Sequence, residues 1–354
     1  METMDRFMGA MTGSAVGDAL GFLIEFMTMK NIQKKYGPYG LRTILKLECN
    51  GKKGIISDDT QMALFTADGL LWAQHGQEPL AAGIHRSLMR WYYTQTERIV
   101  RPEQAGWNRC QDHERQYGYD MMAEKDLFAR RSPGKACLVS LATGTQFTLD
   151  QKPNQCKGST VLSRAIPIGL WFAGDPERAF ATAMEAAVLT HGHPHAYYAA
   201  ATLGAIISLL SVGKEESAAF AASLRLLQDH PDGIDVLKAV LHAVDEAVTD
   251  RNPVRAMKKI GLGWKAEEAL ALGVYCLLKT SSLKDAVIMA CNQDGDSDTC
   301  GAVTGAMTGA LYGVNTIPKN WRINLECLPL LQKLTGLMYE RHAQETTKNL
   351  APAL

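Results

Sequence analysis

The sequence predicts an all-α fold, and three observations carry that reading. From about Ser57 onward, most segments are rich in Ala, Leu, Met and Glu, with apolar residues recurring at three- and four-residue spacings. Alternating β-branched and aromatic runs between turns, the mark of strands, are nearly absent. Two segments carry glycine at every fourth position, Gly9, Gly13, Gly17 and Gly21 in one and Gly301, Gly305, Gly309 and Gly313 in the other. The expected architecture is a single compact helical domain spanning residues 1–354.

The elements follow in chain order. Residues four apart form one ridge of a helix, so each glycine series presents a nearly bare backbone stripe. Glycine inside a helix costs up to about 1 kcal/mol relative to alanine, and close helix–helix approach is the reason to accept that cost eight times. We expect the two glycine helices to be central and to lie against one another. Residues 31–56 read as loop-rich, with 41–47 as the one stretch that looks extended. A helix over 59–74 begins at Asp58. A second loop-rich region, 94–135, is dense in aromatic and charged residues. Further helices are predicted at 176–190, 196–210, 215–227, 234–248, 266–278 and 283–291. Asp175-Pro176 places a cap before proline at a first helical position. No linker or charge block divides the chain.

Composition narrows the functional classes. The chain has 354 residues, 46% of them hydrophobic, with 37 basic and 37 acidic side chains. That is globular rather than disordered, and it lacks the basic excess expected of a nucleic-acid binder. The N-terminus lacks the pattern of a signal peptide. No run approaches the roughly 18 uninterrupted apolar residues of a membrane span. Eight scattered cysteines without a C-x-x-C pair read as reduced thiols. The expectation is a cytoplasmic protein with no membrane or nucleic-acid partner.

Acidic residues cluster at three places: Asp18 with Glu25, Ser57-Asp58-Asp59-Thr60, and Asp294-Gly295-Asp296-Ser297-Asp298-Thr299. Helix capping accounts for one acid at a helix start. It does not account for doubled acids at two distant starts, since neighbouring carboxylates raise each other's pKa unless a cation balances them. A hard divalent cation does balance them: Mg²⁺ takes oxygen ligands in near-octahedral geometry. Ser57, Asp58, Asp59, Asp296, Asp298 and Thr299 offer enough oxygens for a shared pair of ions, and the motifs lack the soft ligands of zinc or copper.

These motifs, in this order, resemble the ADP-ribosylglycohydrolase family. The resemblance extends through Arg131-Ser-Pro-Gly-Lys-Ala-Cys-Leu138, Lys157-Gly-Ser-Thr-Val-Leu-Ser-Arg-Ala-Ile-Pro167, Leu189-Thr-His-Gly-His-Pro194 and the second glycine helix, and so covers most of the chain. It implies an all-α fold, a single compact orthogonal multi-helix domain, with a two-magnesium centre, Mn²⁺ being able to substitute, in a central cleft that binds ADP-ribose. The family's metal ligands map onto the six residues just named, and Glu25 onto a glutamate that gates or positions substrate. The implied reaction releases ADP-ribose from modified protein side chains by hydrolysis at the anomeric carbon. Asp58 or Asp59 is the expected base toward water, with Glu25 the second carboxylate. The Ser at position 57 is similar to arginine-specific members, which makes ADP-ribosylated arginine the expected substrate.

One departure concerns the phosphate-cradling loop, glycine-rich in the family but Lys157-Gly158-Ser159-Thr160-Val161 here. Glycines allow backbone N–H groups to approach phosphate, so the Ser159 and Thr160 hydroxyls are expected to compensate. His191 matches a family position near ADP-ribose. The alternation of His191, His193 and His195 reads as a turn before Pro194 rather than a metal site. Arg164 reads as a structural ion-pair partner, and Cys156 and Cys300 as bystanders. Two other readings stand beside the hydrolase. One is an immunity-type protein that binds and neutralises an ADP-ribosylating toxin or a cognate ADP-ribosyltransferase. The other is a hydrolase of a different ADP-ribose conjugate.

Overall fold

The computed structural model describes residues 1–45, 54–96, 106–107 and 109–350. The helices are α1 (Thr3–Gly21), α2 (Met29–Tyr36), α3 (Asp58–Gly76), α4 (Leu80–Thr96), α5 (Asp112–Tyr117), α6 (Lys135–Leu141), α7 (Ala165–Trp171), α8 (Pro176–Val188) and α9 (Pro194–Ser211). They continue as α10 (Glu216–Gln228), α11 (Ile234–Thr249), α12 (Pro253–Ile260), α13 (Ala266–Lys279), α14 (Leu283–Cys291), α15 (Ser297–Tyr312), α16 (Lys319–Arg322) and α17 (Leu328–Leu350). Among the described residues, pairing of extended backbone is confined to two isolated bridges, Gly54 with Leu325 and Gly158 with Lys265. The fold is all-α.

At its centre α1 and α15 lie antiparallel, glycine against glycine. A methyl group placed on Gly13 would sit 2.2 Å from the carbonyl oxygen of Gly305, and one on Gly17 1.9 Å from that of Gly301. The register steps along both helices, from Gly9 opposite Gly309 to Gly21 opposite Ser297. Side-chain-free ridges let the two backbones touch. That contact brings the turn after α1, which carries Glu25, beside the start of α15, which carries the acids.

Thr3–Ile24 is long and apolar enough on composition to cross a bilayer, with mean hydropathy 1.4, but 83% of that window is buried inside the protein. It is a core helix.

The predicted helices appear close to their expected bounds, and Asp175 accepts from the Arg178 N–H at 3.1 Å as a cap before Pro176. Two expectations need correction. The region 31–56 is not loop from its start, because α2 already occupies Met29–Tyr36, capped by Thr28. Within 41–47, residues 41–45 form no strand, and 46–47 lie outside the described residues. The aromatic region 94–135 contains α5, tied to the body through buried charge: Arg90 bonds both carboxylate oxygens of Glu114 at 3.1 and 3.0 Å, and His113 Nε2 meets Asp68 Oδ1 at 2.8 Å.

Candidate metal centre and substrate cleft

The starts of α3 and α15 open into one cleft of about 420 Å³, joined by the turn after α1, the 130–136 segment and the 156–160 loop. Asp58, Asp59, Asp296, Asp298 and Thr299 line it together with Glu25. All six are buried.

Asp18 builds the α3 side from beneath. Its carboxylate, fully buried, accepts from the N–H of Ser57 at 2.9 Å, from the N–H of Thr60 at 3.2 Å and from the Thr60 hydroxyl. Burial raises its pKa even against those bonds. The anchor fixes the first turn of α3, so Asp58 and Asp59 project into the cleft. Ser57 is the N-cap, accepting from the Asp59 N–H at 3.1 Å, and directly precedes the cleft-lining Asp58.

Glu326 and Arg131 form a second brace. Glu326 accepts from the Ile56 N–H at 3.1 Å and from Arg131, whose guanidinium also donates to the Ile56 carbonyl at 2.7 Å. The brace places the turn that follows. Ser132, held in the left-handed region at φ +48°, donates to Glu25 Oε2 at 3.2 Å. The Gly134 N–H donates to Asp58 Oδ2 at 3.0 Å. A non-glycine residue in that backbone region costs of order 1–3 kcal/mol, which surrounding contacts must offset.

On the α15 side, Asp296 caps the helix by accepting from the Thr299 N–H at 3.1 Å and takes a hydrogen bond from the Ser159 hydroxyl. Asp294 turns away: it accepts from the Met29 N–H at 2.6 Å and pairs with Lys258 at 3.1 Å, fixing the start of α2.

The electrostatics of the cluster fit a cation. Burial first, and then mutual repulsion, raises the pKa of Asp58, Asp59 and Asp298 well above the carboxylate range. Among the described residues, no lysine or arginine pairs with these acids or with Asp296, and the buried Oδ1 of Asp59 has no hydrogen-bond partner. Buried anions held together without a counter-charge are unfavourable, and divalent ions on oxygen ligands relieve this.

Glu25 is pushed up to about 7, chiefly by burial and then by repulsion from Asp296. Its folded-state pKa is raised, so its contribution to stability is fully present below the usual glutamate range near 4.5 and lost as pH rises through about 7. The expected result, with chelator present, is that the melting temperature of wild type falls relative to Glu25→Gln across that window. A constant difference between the two scans would show that Glu25 does not carry this repulsion.

On the opposite wall, His191 Nδ1 lies 2.8 Å from the Thr190 hydroxyl and 3.3 Å from Arg164. Burial, then the Arg164 charge, lowers its pKa well below the usual value, so the ring is neutral at pH 7. Arg164 departs from its predicted role. It donates to the Ala186 carbonyl at 2.9 Å and the Thr190 hydroxyl at 2.6 Å, and no carboxylate pairs with it among the described residues.

The 157–160 loop also differs from expectation. Lys157 uses its carbonyl to accept from the Ala266 N–H at 2.8 Å and is not on the cleft wall. The Ser159 hydroxyl donates to Asp296. Gly158, Ser159 and Thr160 all line the cleft. His193 caps α9, accepting from the His195 N–H at 3.1 Å, which is the predicted turn. Burial first, then Asp296, pushes the Cys300 thiol well up, as suits a bystander.

Sequence reasoning missed Ser132, Gly134, Phe26 and Trp264, all on the cleft. Trp264 follows two positive-φ glycines, Gly261 and Gly263, and that Gly-Leu-Gly-Trp break in helical periodicity was a usable signal.

Fold and cleft together define an all-α protein with buried carboxylates from separate helices lining one cleft, an arrangement suited to hard divalent cations. The chain belongs to the ADP-ribosylglycohydrolase family, whose model matches residues 1–348, a family of metal-dependent hydrolases. It is 29% identical over 325 residues to the ADP-ribosyl-[dinitrogen reductase] glycohydrolase of Rhodospirillum rubrum, covering 91% of this chain and 90% of that protein. It is 24% identical to the ADP-ribosylarginine hydrolase Tri1 of Serratia proteamaculans, over 90% of this chain and 75% of that one. A solved structure titled ADP-ribosylglycohydrolase-related protein complex shares the fold at TM-score 0.60 and 24% identity, covering 96% of this chain and 99% of its own.

Proposed function

We propose that this protein hydrolyses the N-glycosidic bond between ADP-ribose and an arginine side chain of a modified protein, using two Mg²⁺ ions. The observation that carries the proposal is the presence of Asp58, Asp59, Asp296 and Asp298 in one cleft, buried, without cationic partners, beside Glu25. Asp58, Asp59, Asp296, Asp298, Thr299 and Ser57 would hold the ions. When bound there, such ions supply Lewis-acid chemistry and orient hydroxyl oxygens of a ribose.

The chain's own residues then divide the work. The distal ribose sits with its anomeric carbon toward Glu25 and the α3 acids, while Gly158, Thr160 and neutral His191 face the diphosphate side. Breaking the C1–N bond leaves its electron pair on the guanidine nitrogen and positive charge on the ribose, which the surrounding carboxylates stabilise. Water adds to C1, and Asp58 or Asp59 accepts its proton. Glu25, held by Ser132, is the second carboxylate at the reacting centre. The setting inferred is the cytoplasm, where the seven described cysteines, all free, stay reduced.

Release of free ADP-ribose from a mono-ADP-ribosylated arginine protein tests the reading. Turnover is expected with Mg²⁺, absent with chelator, and restored by added Mg²⁺ or Mn²⁺. A folded, metal-supplied protein that releases nothing from arginine or any other linkage would instead point to a protein that acts by binding.

A further inference from the structure

Beside the acidic cleft lies a second concavity, of about 400 Å³, that the proposed reaction does not use. Its walls are chiefly apolar: Met29 from α2, Val254 and Met257 from α12, Leu262, and Ile288 and Met289 from α14. Tyr39, on its rim, is 74% exposed. Groove and cleft are neighbours that share two segments of chain. Leu262 lines the groove and Trp264, two residues on, lines the cleft, where it stacks on Phe26 at 5.8 Å between ring centroids. Phe26 itself is 77% exposed. The 292–296 segment forms the partition, with Asp294 on the groove side and Asp296 on the cleft side. Contiguous exposed apolar surface of this kind marks an interaction site.

Its charges select a partner. Lys258 on the groove wall is paired with Asp294, and Arg255 and Lys259 of the same helix with Asp250. Arg42, which lines the groove, and Lys30, Lys34 and Lys35 of α2 have no carboxylate partner among the described residues. Asp285, the other acid on the wall, accepts from the Ser282 hydroxyl at 2.7 Å. On the wall Asp285 offsets Arg42 as Asp294 offsets Lys258, so the positive surplus is that of the adjoining α2, which has three lysines and no acid.

We propose that this groove docks the protein that carries the ADP-ribosylated side chain, through an apolar stretch flanked by acidic residues. The inference rests on the hydrolase reading of the cleft. Such a substrate is bonded to a polypeptide, so a chain must leave the cleft mouth across adjoining surface. On the Glu25 and Trp264 side, that surface is apolar and carries unpaired cations.

Two synthetic peptides test it, each with one ADP-ribosylated arginine, flanked in one by Leu, Phe, Asp and Glu and in the other by Gly and Ser only. Wild type is expected to show a KM about tenfold lower for the first peptide at similar kcat. Val254→Asp and Arg42→Glu, both outside the reacting centre, are expected to remove that preference and leave the Gly/Ser peptide unaffected. An unchanged Mg²⁺-induced shift in melting temperature confirms that both variants are folded. Equal KM for the two peptides in wild type overturns the docking site and leaves the hydrolase standing. Release from neither peptide overturns both. A concentration-dependent dimer abolished by Val254→Asp, with the peptide preference intact, would assign the groove to a second copy of the chain instead.

Discussion

Asp298→Asn is expected to abolish ADP-ribose release and, in the same protein, to raise the stability of the metal-free state. The first effect follows from the site. Asp298 is one of the four buried aspartates that would hold the ions, and an amide oxygen is a far poorer ligand for a hard cation. Loss of charge stabilisation in a water-poor site costs about 3–4 kcal/mol, on the order of a thousandfold in rate. The second effect follows from the electrostatics. Burial first, and then repulsion from Asp296, Glu25 and Asp59, raises the pKa of Asp298 well above the carboxylate range. A neutral side chain of the same shape removes that repulsion and can still accept the Thr299 N–H bond now made at 3.0 Å. What it gives up is the favourable meeting of a negative charge with a helix N-terminus, about 0.3–1 kcal/mol. Repulsion from three carboxylates outweighs this, so a gain of about 1–2 kcal/mol is expected, the usual exchange of function for stability. Calorimetry with chelator and with Mg²⁺ checks both effects. Wild type should gain melting temperature with Mg²⁺ and the variant should not. Near-normal turnover, or an undiminished Mg²⁺ shift, would remove the acids from the role given to them here.

What could be read beforehand divides along physical lines. Helix positions were legible because local propensity and periodicity agree with the fold, and the doubled acids because capping alone cannot explain them. The glycine stripes located the central helix pair, since seven glycines in two helices need a neighbouring backbone; the eighth, Gly313, instead ends α15 in the left-handed region at φ +81°. Asp18 was visible as an acid but its task was not, because holding the Ser57–Thr60 turn is a relation between residues about forty positions apart. The same holds for Ser132, whose left-handed backbone and bond to Glu25 depend on an Arg131–Glu326 pair across almost two hundred residues. Ser159 adds a bond of the same kind, its hydroxyl donating to Asp296 across 137 residues. Long-range pairing decides such roles, and one sequence read alone does not contain it.

Gly305→Ala is expected to destabilise the protein severely, whereas the same change at Gly336 should stabilise it. In a helix the exchange removes backbone entropy from the unfolded chain and favours folding by about 0.5–1 kcal/mol where nothing interferes. Gly336, in α17, meets that condition, since no atom lies within 4 Å of where its methyl group would stand. At Gly305 the methyl carbon would lie 2.0 Å from the Gly13 carbonyl oxygen and 2.6 Å from the carbonyl carbon. Both are backbone atoms of α1 and cannot rotate aside, so the helices must part. Overpacking usually costs about 1–3 kcal/mol. Here the cost should reach or exceed the upper end, because the glycine contacts on either side hold the same pair of backbones in register. Parting them also moves the turn carrying Glu25 away from the start of α15, so activity should fall even at temperatures where the variant stays folded. Denaturant titrations of both variants, with ADP-ribose release measured below the transition, decide the matter. Equal stability changes at the two positions would mean that α1 and α15 do not meet backbone to backbone, and that the cleft is not assembled by the glycine ridge.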